Sequence, residues 1–466
     1  MIDLRQLREN PARFALGAKA KGVQVDVERL VRLDADKRAA TMEREKLRAE
    51  QNRISKDAGP QIGKLQGQLK AASPEQRAAL EKQLEELKSA PAKFKAAIQE
   101  LEALEATLEA QIRELLLLVP QPPDADVPVG TGSEGNVEVR RWVAPPSALL
   151  PGGFDPSKTF AENKGFAPKG HMEILRDLGL CDFERGVKIA GARSYILTGM
   201  GMRLHQAVLQ HAFSTMIDAH GFTPMSVPSL VREETMIGTA FFPAGRDQAY
   251  HIEESKRGGG YDQFLAGTGE VGLMGVHMGE ILDEARLPLR YVTVSPCYRR
   301  EAGAAGKDTA GLYRIHQFDK VEQVVICKAD EQESRRWHKQ MIGYVEALLQ
   351  SLELPYRLLQ CCTGDLGVKN ADMVDIECWM PGREGFGETH SASRLYDYQC
   401  RRLNMRYRPG GDKGQGDTTF CHSLNNTVLA SPRILIPLLE IHQNADGTVN
   451  VPTPLRAFMG GASRIG

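Results

Sequence analysis

Arg299 and Glu301, followed by Arg314, Phe318 and Glu322, make residues 297–322 the chemically richest stretch of this chain. A guanidinium binds a phosphate through two parallel N–H donors. A carboxylate two positions along a strand faces the same side as that guanidinium. Phe318 offers a purine a stacking surface, and Glu322 suits an ammonium group. Nucleotide and amine would then share one floor, the equipment for activating an amino acid with ATP. A charged surface hairpin shows the same pattern, so the stretch alone leaves both readings open.

Four further groups bear chemistry. In Gly267-Thr268-Gly269-Glu270, Glu270 could take an amino group and Thr268 supply polar contacts, although Thr268 is equally a helix N-cap. Glu388-Thr389-His390-Ser391 sets a carboxylate and a hydroxyl where a hard cation such as Mg²⁺ finds oxygen ligands; an exposed turn fits as well. The amides and hydroxyls of Ser423-Leu424-Asn425-Asn426-Thr427 suit a small polar substrate. Arg433 opens the helix-like run 434–441, where guanidinium and helix dipole together favour a triphosphate.

These groups need a scaffold, and the chain changes character near Pro120. Residues 27–118 are rich in helix-forming residues. Leu33, Ala40, Leu47 and Ile54 fall seven apart, one seam of a coiled coil. Phe94, Ile98, Leu101, Leu108, Ile112 and Leu115 form the returning seam, which Glu105 interrupts. Ser73-Pro74-Glu75-Gln76 is a capping box with proline in the first turn, so the two arms meet there. Pro60 and Pro91 predict a bend or break in each arm. Eight cations on the first arm (Arg32, Lys37, Arg38, Arg44, Lys46, Arg48, Arg53, Lys56) fit either a nucleic-acid contact or a solvated face, and a dimerisation coiled coil stays open.

Residues 120–135 are linker-like in their Pro and Gly content, and 137–142 read as a strand. Beyond about 150, helices mix with short strands without regular alternation. That predicts an α+β domain on an antiparallel sheet, preceded by a helical-hairpin arm. Residues 202–220 read as an amphipathic helix stopped by Gly221, and 374–380 as a strand.

Composition bounds the rest. A chain of 466 residues should hold more than one structural unit. Net charge is −1, so any nucleic-acid contact needs a locally basic face. Eight cysteines without a C-x-x-C pair suggest reduced, buried thiols. There is no apolar run near the roughly 20 residues of a spanning helix, and no apolar signal core. The expected location is cytoplasmic, with no membrane partner.

Taken together, these motifs resemble the seryl-tRNA synthetase family of class II aminoacyl-tRNA synthetases over essentially the full length. The opening Asp3-Leu4-Arg5 with Arg8-Glu9-Asn10-Pro11, and Leu178-Gly179-Leu180 with Asp182-Phe183-Glu184-Arg185, are similar to that family's. Tyr298-Arg299-Arg300-Glu301 through His316-Gln317-Phe318-Asp319-Lys320-Val321-Glu322 resembles motif 2 (about 291–326), and Leu424-Asn425-Asn426-Thr427 through Arg433 motif 3 (about 422–441). Residues 202–228 resemble motif 1, the dimer-forming element.

The resemblance implies a tRNA-binding domain at 1–118, a linker at 119–150 and a catalytic domain at 151–466. It implies Arg299 on the α-phosphate and Arg433 at the γ-phosphate end of a bent ATP, with Glu301 beside them, as the catalytic set. Phe318 would stack on adenine, with Arg300, Thr389 and His390 completing the ATP contacts and Glu388 and Ser391 holding Mg²⁺ and phosphate. Thr268, Gly269, Glu270 and Glu322 would grip the serine amino group and backbone, and Asn425 and Thr427 its side chain. The implied partners are L-serine, serine-isoacceptor tRNAs and a second copy of the chain; a selenocysteine tRNA stays open as an acceptor. The chain departs from the family pattern at Gly269 (usually Ala), His390 (Ser), Arg394 (Asn) and Asn426 (Gly). Two alternatives compete: a ligase loading a carrier protein, whose relatives lack the long arm, and a catalytically dead RNA-binding relative, against which the retained charged residues argue.

Overall fold

The computed structural model describes all residues except 304–305, 307–309 and 411–415, and the side chain of Arg257. Part of the loop within 297–322 therefore lies outside the described residues. The chain divides into two compact units, one of residues 3–15 and 24–119, the other of residues 1–2, 16–23 and 120–466.

In the first unit, α1 (Val27–Ala71) starts at Asp26, whose carboxylate accepts from the Arg29 N–H. After the Ser73/Gln76 capping box, α2 (Pro74–Ser89) leads through a 3₁₀ turn at Ala90–Phe94 into α3 (Lys95–Leu118). Ion pairs Lys37–Glu109, Arg44–Glu105 and Arg48–Glu102 run in opposite senses along α1 and α3, so the pair is antiparallel. The seam residues Ala40, Ile98, Leu108 and Ile112 are buried between them. Glu105, the interruption in the seam, lies 3.2 Å from the Arg44 guanidinium, which compensates its charge. The two prolines behave differently. Pro91 coincides with the 3₁₀ turn, whereas α1 runs unbroken through Pro60 and loses only the backbone donor that proline lacks.

The second unit is built on an eight-stranded sheet. In chain order its elements are β1 (Val137–Trp142), α4 (Gly199–Asp218), β2 (Thr223–Pro224), α5 (Gly269–Gly275), β3 (Leu289–Tyr298), β4 (Gln317–Cys327), α6 (Glu331–Ser351), β5 (Tyr356–Gln360), β6 (Asp372–Met380), β7 (Gly385–Tyr396), β8 (His422–Ser431) and α7 (Leu435–His442). The spatial order is β1-β5-β6-β7-β8-β4-β3-β2, antiparallel throughout except for β2 on β3. The residues 388–391 belong to strand β7 and not to a turn.

Alternation along each strand separates two faces. Val374, Ile376, Cys378 and Met380 of β6 join the core with Leu204 and Val208 of α4 and Met341 and Val345 of α6. The other face carries Glu377 and Asp375 on β6 opposite Glu388 and Ser391 on β7, and Phe318, Lys320 and Glu322 on β4. Burying the helix-covered face drives folding at roughly 25 cal/mol per Å² of apolar surface, and this leaves the opposite face free for polar chemistry. The segment after Pro120 is laid beside the sheet by backbone bonds from Gln121 N–H to Val368 O (2.8 Å) and Asp124 N–H to Ala371 O (2.9 Å).

Two β-bulges shape the polar face. Between β4 and β8 the register slips so that Val321 faces Leu429 but Glu322 faces Thr427. Val428 and Leu429 both enter the core as a result, while Thr427 and Ala430 both reach the same pocket. A second slip between β6 and β7 leaves Thr389 unpaired between Glu388 and His390.

Candidate active site

One pocket over the polar face is lined by Arg299, Glu301, Tyr313, Phe318, Lys320, Glu388, Thr389, Thr427 and Arg433. Four segments far apart in sequence converge here because β3, β4, β8 and β7 are neighbours in the sheet. The Arg299 Nε donates to Gly267 O at 3.3 Å, and its guanidinium carbon lies 5.2 Å from the Phe318 ring centroid. Among the described residues its terminal nitrogens have no hydrogen-bond partner, so the fork stays available to an anion. Glu301 adopts a left-handed backbone (φ 52°) and accepts from Arg314 at 2.9 Å, which assigns Arg314 to holding the loop.

Arg433 is fixed from three sides. Its Nε donates to Tyr313 O (3.1 Å), its Nη1 donates to Glu388 O (3.0 Å), and its guanidinium stacks over the Tyr313 ring at 4.6 Å. Glu388 also lies 3.6 Å from Arg433 through its carboxylate. Behind it, burial and the Glu388 charge push the Asp375 carboxyl well above the usual carboxylate range, and Ser391 is its register partner on β7. Concentrated oxygen ligands of this kind are the donor set a hard divalent ion takes, so the residues fit Mg²⁺.

Beside this pocket lies a buried polar cluster. Asn425 Nδ2 donates to Glu322 Oε1 at 2.9 Å. Lys320 is ion-paired with Glu322 and donates to Thr268 Oγ1 at 2.8 Å and Thr427 Oγ1 at 3.4 Å. Glu270, 2% exposed, accepts from Lys369 at 2.5 Å and Gln399 at 2.7 Å. Lys320, Lys369 and Gln399 are the participants that sequence reasoning missed. Lys320 was accessible to it, lying two positions from both Phe318 and Glu322 on one strand face. Lys369 and Gln399 carry no local signal, because only the tertiary fold brings them to Glu270.

Two expected ATP contacts lie elsewhere. Arg300 turns away and donates to Asp247 O at 3.2 Å. His390 is opposite Ile376, on the helix-covered face; burial holds its pKa down to about 3, so it stays neutral. Strand alternation is the reason, since the residue next to Ser391 must point to the opposite face. Thr389 does line the pocket, with its hydroxyl donated to Ile376 O at 3.1 Å.

The other departures from the family pattern sort the same way. Arg394 is buried and bonds Asp124 (3.0 Å) and Asp372 (2.9 Å), tying the segment after Pro120 to β6. Asn426 donates to Met341 O of α6 at 3.1 Å. Only Gly269 meets the pocket floor. A Cβ there would sit 2.5 Å from Thr293 Cγ2 and 2.9 Å from Ser295 Oγ. Gly269→Ala is therefore expected to raise the KM for the amino acid several-fold and to cost about 1–3 kcal/mol of stability. Adding Thr293→Ser, which removes the closer of the two contacts and leaves Ser295 Oγ at 2.9 Å, should recover part of both, as read by urea unfolding and pyrophosphate exchange.

Fold and site define a class II aminoacyl-tRNA synthetase, and the family described as "tRNA synthetase class II core domain (G, H, P, S and T)" matches residues 250–442. "Seryl-tRNA synthetase N-terminal domain" matches residues 1–123. The serine–tRNA ligase of Deinococcus radiodurans is 40% identical, with 100% of this chain and 99% of that protein covered. The seryl-tRNA synthetase of Pyrococcus horikoshii, solved with ATP, superposes with a TM-score of 0.84 at 35% identity, covering 100% and 99% of the two chains. The cytoplasmic serine–tRNA ligase of Naegleria fowleri, solved with AMP, gives 0.81 at 29% identity, covering 100% and 98%. The chain belongs to the seryl-tRNA synthetase family. It is an aminoacyl-tRNA ligase, and its reaction is the ATP-dependent formation of seryl-tRNA. Neither a carrier-loading ligase nor a dead RNA-binding relative finds support among these proteins.

Proposed function

We propose that the pocket bounded by Arg299, Phe318, Glu388 and Arg433 forms seryl-adenylate from serine and ATP, and that the neighbouring cluster of Thr268, Glu270, Glu322, Asn425 and Thr427 selects the serine. The convergence of two guanidinium groups and an aromatic ring in one pocket is the observation that carries this assignment. Arg299 holds the α-phosphate by its free fork, Phe318 stacks on adenine, and Arg433 binds the γ-phosphate end. Glu388 and Ser391 would hold Mg²⁺, which neutralises phosphate charge when bound.

The serine carboxylate attacks the α-phosphorus and pyrophosphate leaves. A terminal ribose hydroxyl of tRNA then attacks the activated carbonyl and AMP leaves. No side-chain nucleophile takes part. The protein's contribution is to position the reactants and to stabilise charge that develops on the phosphate. Alanine is rejected because it leaves the buried polar groups of Asn425 and Thr427 unpaired; threonine must be excluded sterically.

The domain reading is a tRNA-binding region at 1–118, a linker at 119–150 and a catalytic region at 151–466. The long α1–α3 hairpin supports the first of these. Apolar Leu209, Phe213, Pro224, Met225 and Val294 line an open groove on the motif 1 region, which supports homodimerisation there. Among the described residues no helix is long and apolar enough to cross a membrane, and eight free cysteines suit a reducing cytoplasm.

The test is ATP–pyrophosphate exchange with serine, glycine, alanine, threonine and cysteine. Exchange should depend on serine, with the analogues at least about 100-fold poorer in kcat/KM. Equal exchange with alanine or threonine would refute the pocket assignment.

A further inference from the structure

Lys320 contacts neither of the groups expected to hold phosphate, and yet it is 5% exposed at the junction of the two halves of the site. Burying an ammonium is costly unless its charge and its three N–H donors are matched. Here three acceptors surround it: Thr268 Oγ1 at 2.8 Å, Thr427 Oγ1 at 3.4 Å and the Glu322 carboxylate.

We propose that Lys320 is a positioning residue that sets the hydrogen-bond polarity of the serine pocket. This deepens the functional assignment above and rests on it. A hydroxyl oxygen has two acceptor sites and one proton. Thr268 Oγ1 accepts from Lys320 and also from the Glu270 N–H at 3.2 Å. Both acceptor sites are filled, so the Thr268 hydroxyl has only its proton left to offer. Toward a bound substrate it can donate to an oxygen but cannot accept from the ammonium. Thr427 is biased the same way, with Lys320 on its oxygen.

The influence extends two links further. Lys320 holds the Glu322 carboxylate, an acceptor only, and Glu322 Oε1 receives the Asn425 Nδ2. The Asn425 amide is thereby fixed with its nitrogen toward Glu322 and its Oδ1 away. That Oδ1 is buried and has no hydrogen-bond partner among the described residues. It is an acceptor waiting for a hydroxyl proton, which serine carries and alanine lacks. Lys320 thus orients the group that distinguishes the two amino acids without touching the substrate side chain itself. Phe318, Lys320 and Glu322 share one strand face, so adenine stacking, polarity and amino-acid selection come from a single run of β4.

The full-length protein tests this through Lys320→Met and Lys320→Gln. Pyrophosphate exchange is measured with serine and with alanine, and ATP binding by calorimetry. With methionine, the serine KM should rise about tenfold or more and the serine-over-alanine ratio of kcat/KM should fall by about tenfold, with a smaller change in the ATP Kd than in the serine KM. Glutamine, which retains N–H donors without the charge, should fall between wild type and methionine. It carries the same test if the methionine protein does not fold. A folded variant with unchanged serine KM and unchanged selectivity overturns the proposal. So does an equal loss toward serine, alanine and ATP, the mark of a structural role. If the unaltered protein activates an amino acid other than serine, the underlying assignment fails and this one with it.

Discussion

Arg299→Ala is expected to lower serine-dependent pyrophosphate exchange by roughly 10²–10³-fold or more, the range for losing one donor aimed at developing charge. The fold gives it no other large task. Its only side-chain hydrogen bond among the described residues runs from Nε to Gly267 O at 3.3 Å, so the unfolding midpoint should hardly change. Phe318 keeps its place in the strand without the guanidinium above it, because β4 is paired on both sides by β3 and β8. The defect should therefore appear in kcat more than in ATP affinity. Arg299→Lys should rescue little, since a point charge does not reproduce a bidentate fork. Near-normal exchange by a folded Arg299→Ala protein would remove Arg299 from the mechanism.

Deleting residues 27–118 across a short glycine linker should separate the two half-reactions. Adenylate formation is expected to survive within a few-fold, because every residue assigned to the pocket lies in the other unit. Charging of tRNA should fall by about 100-fold or more in kcat/KM, on the scale of several lost phosphate contacts. Seven of the eight cations noted on the first arm have acidic partners within the arm. Exposed pairs such as Arg32–Glu28 and Lys46–Glu43 contribute roughly 0–1 kcal/mol, so exchanging the acid for a phosphate costs little. Charging by the intact protein should also weaken steeply with added salt, and the truncated protein should lose most of that dependence. Unchanged charging after the deletion would show that the arm does not bind tRNA.

Local chemistry made much of this molecule legible in its sequence. The capping box at Ser73, the two strands that end at Tyr298 and begin at Gln317, and the helix that follows Arg433 are written in short-range signals, and the structure contains each of them. Side-chain direction was harder. His390 sits inside a matching motif yet faces the core, because alternation in β7 puts it opposite Ile376. Arg300 neighbours Arg299 but lies past the end of β3, where its backbone N–H donates to Gln248 O and its guanidinium to Asp247 O. The β-bulge at Val428, which lets Thr427 and Ala430 share a wall, has no sequence signature in β8. Lys369 and Gln399, the partners of Glu270, lie 99 and 129 residues from it. Contacts of that separation arise only from the completed sheet.

The most direct measurement is transfer of labelled serine to tRNA by the purified protein in the presence of ATP and Mg²⁺. Label should appear on the tRNA as a base-labile ester, require ATP, and be accompanied by one AMP and one pyrophosphate per serine. Serine-dependent pyrophosphate release with no label on tRNA, or labelling with alanine as readily as with serine, would contradict the account.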